Sequence, residues 1–439
     1  MIHSYKMNGY NIILDQNSGC VHSVDDVAYD IINMYESRTK DEIKKEILSK
    51  YSDRADVTEE DIDLCFEDIQ SLIDDGRLFS EDTFEQTAKE FKRRQGVLKA
   101  ICLHVAHGCN LNCEYCFAGK GEYGGADKGL MSLEVGKKAL DFLVEQSGTR
   151  KNLEVDFFGG EPLLNWDVCK ELVKYGRELE KTHDKNFRFT LTTNGVLVDD
   201  DVIDFCDKEM SNVVLSLDGR KDVPDHLRKT PNGKGSYDLI VDKFKKFADA
   251  RGQQNYYMRG TYTHFNTDFS KDVLSMADLG FKELSMEPVV CDPKEPWALT
   301  PDDLPKLKKQ YQILADEMLR RYRNGSGFTF YHYMIDLDHG PCIVKRVSGC
   351  GVGTEYMAVT PSGDLYPCHQ FVGDDKFKLG NIYDGVTNGK ILEQFEQCNI
   401  YSHKECKDCF AKLYCSGGCA ANAYHTTGSV NGVYEFGCE

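Results

Sequence analysis

Apolar positions recur along the chain with two periods. From Lys99 to about residue 330, short runs rich in β-branched and aromatic residues alternate with stretches whose apolar positions fall three and four apart. The runs are AICLHVAHG, LEVDFFGG, FRFTLTTNG, VVLSLDG, YYMRGTYTHF and ELSMEPVV, and their composition and length mark them as strands. Between them, SLEVGKKALDFLVEQ, VCKELVKYGRELEK, DDVIDFCDKEM, YDLIVDKFKKFADA and KDVLSMADLG have helical spacing, the first opened by Ser132 as N-cap. Six strands with intervening helices predict an α/β fold of βα units around a parallel sheet. Ligands of such sheets gather at the C-terminal strand ends, and glycine closes the first four runs, as suits a ligand-binding rim.

Residues 1–85 have a different pattern. HSYKMNGYNIIL and CVHSV, separated by the turn QNSG, predict a β-hairpin. Three helical stretches follow: VDDVAYDIINMYE with Val27, Ile31 and Ile32 on one face, TKDEIKKEILSKY with Ile43 and Ile47, and TEEDIDLCFEDIQSLIDDG, opened by Thr58 and stopped at Gly76. A hairpin and three short helices outline a winged-helix-like module. The polar stretch 86–98 is expected to be a linker. Residues 331–439 are Cys-rich with little periodicity, as expected of a domain held together by metal.

At 439 residues, two or three domains are expected. The net charge of −19 argues against a phosphate-backbone partner, so no nucleic acid is expected. Neither a secretory apolar segment nor a long apolar run is present, which predicts a cytoplasmic protein without a membrane anchor. The 18 cysteines then change the picture. In a reducing compartment they are metal ligands or thiols more readily than disulfides. Three crowd into Cys109, Cys113 and Cys116; seven more stand at 350, 368, 406, 409, 415, 419 and 438. The rest, including Cys20, Cys65, Cys102, Cys169, Cys206, Cys291 and Cys398, fit small buried hydrophobes.

Cys109-Asn-Leu-Asn-Cys113-Glu-Tyr-Cys116 offers three thiolates on one short loop after the first strand of the array. Three thiolates hold three irons of a [4Fe–4S] cluster and leave the fourth open to a cofactor; a structural zinc asks for four ligands. The C-x3-C-x-aromatic-C pattern, with Gly159-Gly160-Glu161-Pro162 ending the second strand, resembles the radical S-adenosylmethionine superfamily. The resemblance implies a partial (βα)6 barrel and S-adenosylmethionine as cofactor. It places the methionine amino group at Gly159, Gly160 and Glu161. It further points to Thr193, Asn194 and Ser216, and to Met286 and Val289 on the strand that meets adenine, as cofactor contacts; Arg259 is either a partner of the cofactor carboxylate or a structural salt bridge, and Tyr115 packs either on adenine or in the core.

The second constellation is Cys350…Cys368, then Cys406-x2-Cys409-x5-Cys415-x3-Cys419 and Cys438. It is similar to the SPASM domain, which extends radical enzymes acting on peptides and proteins. That likeness implies two further [4Fe–4S] clusters, three in all. One would be held by Cys406, Cys409, Cys415 and Cys438, the other by Cys350, Cys368 and Cys419. Cys342, eight residues before Cys350, is either a fourth ligand of the latter or a bystander. With three thiolates that cluster would keep an iron open to a substrate thiolate. Relatives that oxidise a protein Ser or Cys carry Asp after the cysteine matching Cys368; here it is His369, which sets sulfatase maturation in doubt. Asp364, Tyr366 and His369 stand near Cys368 in sequence, but no catalytic residue is assigned.

The N-terminal module resembles the RiPP recognition element, a winged helix that binds a leader peptide by strand addition. The opening MIHSYKMNGYNIILDQNSG, CNLNCEYCFA and TPSGDLYPCHQFVG resemble the maturases of "six cysteines in forty-five residues" precursors, which make thioether bonds. The implied protein is a thioether-forming oxidoreductase acting on a small Cys-rich precursor peptide, fed electrons by a flavodoxin or ferredoxin. Side-chain oxidation or carbon–carbon cross-linking of a peptide on the same scaffold is the alternative.

Overall fold

The computed structural model describes residues 1–86, 88, 98–125, 129–337 and 341–439. The expected linker 86–98 falls almost wholly outside them. Two compact units are present, the first formed by residues 1–91, 335–349 and 399–418, the second by 92–334, 350–398 and 419–439.

In the first unit, Asn8 and Gly9 both adopt left-handed backbone (φ 53° and 83°). An Asn-Gly pair in this conformation makes a tight hairpin turn. It splits the first apolar run into β1 (Ile2–Met7) and β2 (Tyr10–Asp15), paired from Ile2↔Asp15 to Met7↔Tyr10. With β3 (Val21–Val24) the result is a three-stranded antiparallel sheet in the order β1-β2-β3, where the run lengths alone predict two strands. The β2–β3 turn is held by Asp15, whose carboxylate accepts from the backbone of Asn17, Ser18 and Ser80. Helices α1 (Asp26–Met34), α2 (Lys40–Lys50) and α3 (Glu59–Asp74) follow. Asp25 caps α1, and α2 and α3 carry capping boxes, Thr39 with Glu42 and Thr58 with Asp61. Their apolar faces meet Ile13 in a core of Ile31, Ile32, Ile43, Ile47, Ile62, Phe66 and Ile69.

The second unit is built on β4 (Ala100–Ala106), β5 (Asn112–Cys113), β6 (Asn152–Gly159), β7 (Asn186–Thr193), β8 (Met210–Ser216), β9 (Arg228–Lys229), β10 (Tyr256–Tyr262), β11 (Glu283–Pro288) and β12 (Thr329–Phe330). The predicted strands β4, β6, β7, β8, β10 and β11 lie side by side, all parallel, in chain order. That order is a partial (βα)6 barrel. Helices of residues 133–146, 166–183, 200–209, 237–250 and 270–278 connect the strands. Their apolar faces close a core around Leu103, Val155, Phe157, Phe189, Leu191, Val213 and Leu284. At the other edge, β13 (Tyr356–Val359) adds parallel to β4, and β14 (Asp364–Tyr366), β15 (Gly380–Asn381) and β16 (Gly385–Val386) continue antiparallel. One sheet therefore carries both the barrel and the start of the Cys-rich region. No helix among the described residues is long and apolar enough to cross a membrane.

Candidate functional site

The C-terminal ends of the barrel strands open onto a cavity of about 350 Å³. Cys109, Cys113 and Cys116 form part of its wall, on the loop that leaves β4. The loop is fixed by neighbours distant in sequence. Cys113 in β5 pairs with Arg228 in β9, and the Asn194 amide donates to Asn110 Oδ1 at 2.7 Å and to Cys109 Sγ at 3.5 Å.

The glycines of the Gly-Gly-Glu motif let two strand ends touch. A Cβ on Gly159 would lie 2.2 Å from the Ala106 carbonyl oxygen, and one on Gly160 would lie 1.9 Å from that of Gly108. No side chain fits there. The motif therefore abuts the cysteine loop and presents Glu161. This carboxylate is buried and accepts from the backbone of Leu163 and Asn194 and from the Thr193 hydroxyl at 2.8 Å. Burial pushes its pKa up to about 7, against the pull of those donors and of Arg228.

Tyr115 turns its hydroxyl onto Asp218, which follows β8, and receives a hydrogen bond from Arg228. Arg228 is buried, and its Nε has no hydrogen-bond partner among the described residues. Ser216, Arg259, Thr261, Glu287 and Val289 line the far wall. The Glu287 carboxylate lies 3.0 Å from His332 Nε2, and that pairing with the nearby Arg259 charge outweighs burial and keeps its pKa below the usual value. Met286 lies elsewhere. It is fully buried, and its sulfur occupies the space a Cβ on Gly260 would need. Of the ten residues expected to meet the cofactor, nine line the cavity and Met286 does not. Asp218, Arg228, Glu287 and His332 escaped the sequence reading. Asp218 lies in the run VVLSLDG and Glu287 in ELSMEPVV, whereas Arg228 and His332 lie outside the quoted runs.

His369, Gln370 and Asn422 complete the wall. They neighbour Cys368 and Cys419 in sequence. Cys350, Cys368 and Cys419 are gathered closely enough that the charges of Cys419 and Cys350 raise the pKa of Cys368, on top of the larger effect of burial. Burial also drives the His369 pKa down to about 4, aided by Arg259. Cys406, Cys409 and Cys415 lie together in the first unit, and Cys438 lies in the second. Cys342 is exposed and precedes the helix Ile343–Ser348. Among the described residues no three His, Cys, Asp or Glu side chains close around a single ion. Thiolates of a [4Fe–4S] cluster bind separate irons and stand further apart than the ligands of one ion.

The chain's own chemistry fits the groups expected here. Burial raises the pKa of Cys109, and that of Cys113 to about 12, and iron coordination deprotonates such thiols outright. Glu161 is a buried acid without a direct cationic partner among the described residues, suited to an ammonium group. Residues 103–267 match the family model of the radical SAM superfamily, and residues 350–410 match that of the SPASM iron–sulfur cluster-binding domain. The chain carries a radical SAM domain and a SPASM domain. These domains imply S-adenosylmethionine and [4Fe–4S] clusters.

The chain is similar to the cysteine-type anaerobic sulfatase-maturating enzyme of Clostridium perfringens, with 27% identity over 343 residues, 73% of this chain and 88% of the relative. The subtilosin biosynthesis protein AlbA of Bacillus subtilis is 24% identical over 340 residues, covering 73% and 68%. Two solved structures share the fold. The sulfatase-maturating enzyme anSMEcpe with bound AdoMet superposes with a TM-score of 0.61 at 23% identity, over 78% of this chain and 94% of that one. Streptococcus suis SuiB bound to precursor peptide SuiA gives 0.52 at 15%, over 96% and 95%.

Proposed function

We propose that this radical SAM–SPASM protein modifies a ribosomally made, Cys-rich precursor peptide by forming a thioether between a cysteine sulfur and a carbon of another residue. The observation that carries the reading is the shared cavity: Cys109, Cys113, Cys116 and Glu161 form one wall, and His369, Gln370 and Asn422 another. The cofactor wall thus faces residues that adjoin Cys368 and Cys419 in sequence across one reaction space. The relatives favour a peptide substrate, since AlbA is named for subtilosin bacteriocin biosynthesis and SuiB has been solved with its precursor peptide.

Cys109, Cys113 and Cys116 would hold the cluster that binds S-adenosylmethionine. Glu161 would take the ammonium group, with Thr193 and Asn194 fixing its carboxylate. Tyr115, Ser216, Arg259 and Val289 would wall in the rest of the cofactor, which supplies a 5′-deoxyadenosyl radical when reduced. Cys350, Cys368 and Cys419 would hold a second cluster that supplies an open iron for a peptide thiolate and a one-electron acceptor. Cys406, Cys409 and Cys415 would supply thiolates to a third. His369 stands where an acidic residue would serve sulfatase maturation, and a half-buried imidazole with a pKa of about 4 is neutral at pH 7. The edge of β3 would bind the leader by strand addition.

The test is an anaerobic reaction of the reconstituted protein with S-adenosylmethionine, a reductant and a Cys-rich precursor peptide, followed by thiol alkylation and mass spectrometry. The reading expects a product lighter by two hydrogens with one alkylation fewer. A lighter product with all its thiols still reactive would favour carbon–carbon cross-linking instead.

A further inference from the structure

The segment bearing Cys406, Cys409 and Cys415 is packed into the N-terminal module. Lys412, between Cys409 and Cys415, is almost wholly buried. Its ammonium donates to Asn17 Oδ1 at 2.9 Å, in the β2–β3 turn, and to Asp82 Oδ2 at 2.8 Å, beyond α3. Asp82 also accepts from the Tyr401 hydroxyl at 2.8 Å. Tyr414 donates through its hydroxyl to the Gly19 carbonyl, and Phe410 stacks on His3 of β1 at 3.9 Å between ring centroids. Leu413 and Ile400 are buried with Val347 and Ala88. The turn grasped by Asn17 and Gly19 leads directly into β3, whose second edge is unpaired among the described residues.

Apart from these side-chain contacts, the backbone of the loop has little regular structure. It consists of short turns and one four-residue helix, and left-handed backbone at Ser416, Gly417 and Gly418 ends it. Three cysteines within ten residues would be tied to one another by a cluster, and without it the loop loses those cross-links.

We propose that the Cys406–Cys415 loop is a clasp, through which iron–sulfur occupancy sets the order of the β2–β3 hairpin and so of the strand edge offered to a peptide. The contacts run through Lys412 to Asn17 and through Tyr414 to Gly19. Its consequence for substrate capture rests on the reading of β3 as the leader site. By linkage, peptide binding at that edge and cluster occupancy then strengthen each other by the same factor. A chain lacking this cluster binds precursor poorly, and capture is reserved for the fully assembled protein.

The test is amide hydrogen exchange of the full, anaerobically reconstituted chain, comparing segment 10–24 with barrel segment 256–262. In Cys409→Ala, exchange in 10–24 is expected to rise tenfold or more while 256–262 is unchanged. In Tyr414→Phe and Lys412→Met the same segment is expected to loosen at wild-type iron content, and a chelator should strip iron from both variants faster than from wild type. Wild-type exchange in 10–24 of a folded Cys409→Ala protein overturns the proposal. If that variant fails to fold, wild-type exchange and wild-type iron loss in both other variants overturn it. No peptide enters the experiment, so its failure would leave the peptide-modifying reading standing.

Discussion

The Tyr115 hydroxyl donates to Asp218 at 2.6 Å while Arg228 donates to the same hydroxyl at 3.0 Å, joining residues more than a hundred positions apart beneath the cysteine loop. Asp218 is completely buried and also accepts from the Thr261 backbone. Removing one partner of a buried charge pair strands the other. Asp218→Ala is therefore expected to cost about 3–5 kcal/mol, whereas Tyr115→Phe, which deletes one hydroxyl, is expected to cost about 1–2 kcal/mol. Anaerobic thermal unfolding ranks the two, and equal losses would contradict the network.

Glu161 gives the site a pH dependence of defined sign. Its carboxyl, ordinarily near 4.5, is raised to about 7 by burial. The folded, cofactor-free chain thus holds a proton that the unfolded chain has already lost. Its contribution to stability is full below 4.5 and is lost as pH rises through about 7. An ammonium group beside the carboxylate reverses the preference, so binding S-adenosylmethionine near pH 7 should release a proton. Calorimetry in two buffers of different ionisation heat measures this release. Glu161→Gln should abolish it and weaken binding by roughly 10- to 100-fold.

Gly160 is expected to tolerate no side chain. Its Cβ would sit 1.9 Å from the Gly108 carbonyl oxygen, which is backbone and cannot swing aside. Gly160→Ala should push the Glu161 turn from the cysteine loop at a cost of about 1–3 kcal/mol. It should also weaken S-adenosylmethionine binding more than it lowers the melting temperature would suggest. Equilibrium binding beside thermal unfolding separates the two effects.

The cysteine set that lines the second unit's cavity and the set whose sequence neighbours His369 and Asn422 line it should separate by function. Cys113→Ala is expected to abolish 5′-deoxyadenosine formation altogether. Cys368→Ala is expected to keep substantial 5′-deoxyadenosine formation while peptide product disappears. Paired quantification of both products checks this, and equal loss of both in Cys368→Ala would contradict separate roles.

What could be read without coordinates was local. The cysteine spacings, the Gly-Gly-Glu turn and the six strands each lie within a few adjacent residues, where steric and ligand rules act directly. The three-stranded N-terminal sheet was legible too, because Asn8-Gly9 is a strong hairpin signal, but the longer QNSG turn masked it. Met286 and Val289 were read together as facing the cofactor. A side-chain period of two does not put residues three apart on one face of a strand, and Met286 indeed packs beneath Gly260 while Glu287 faces the cavity. Arg228 and His332 could not be foreseen. Each reaches the site through pairing across long separations, Arg228 with Cys113 and His332 with Glu287.

The most direct test of the central claim follows hydrogen from peptide to cofactor. A Cys-rich precursor peptide deuterated at its non-exchangeable carbon positions would be turned over anaerobically, and the 5′-deoxyadenosine recovered for mass spectrometry. The account predicts one deuterium in the 5′-deoxyadenosine for each thioether formed. Unlabelled 5′-deoxyadenosine alongside modified peptide would contradict it.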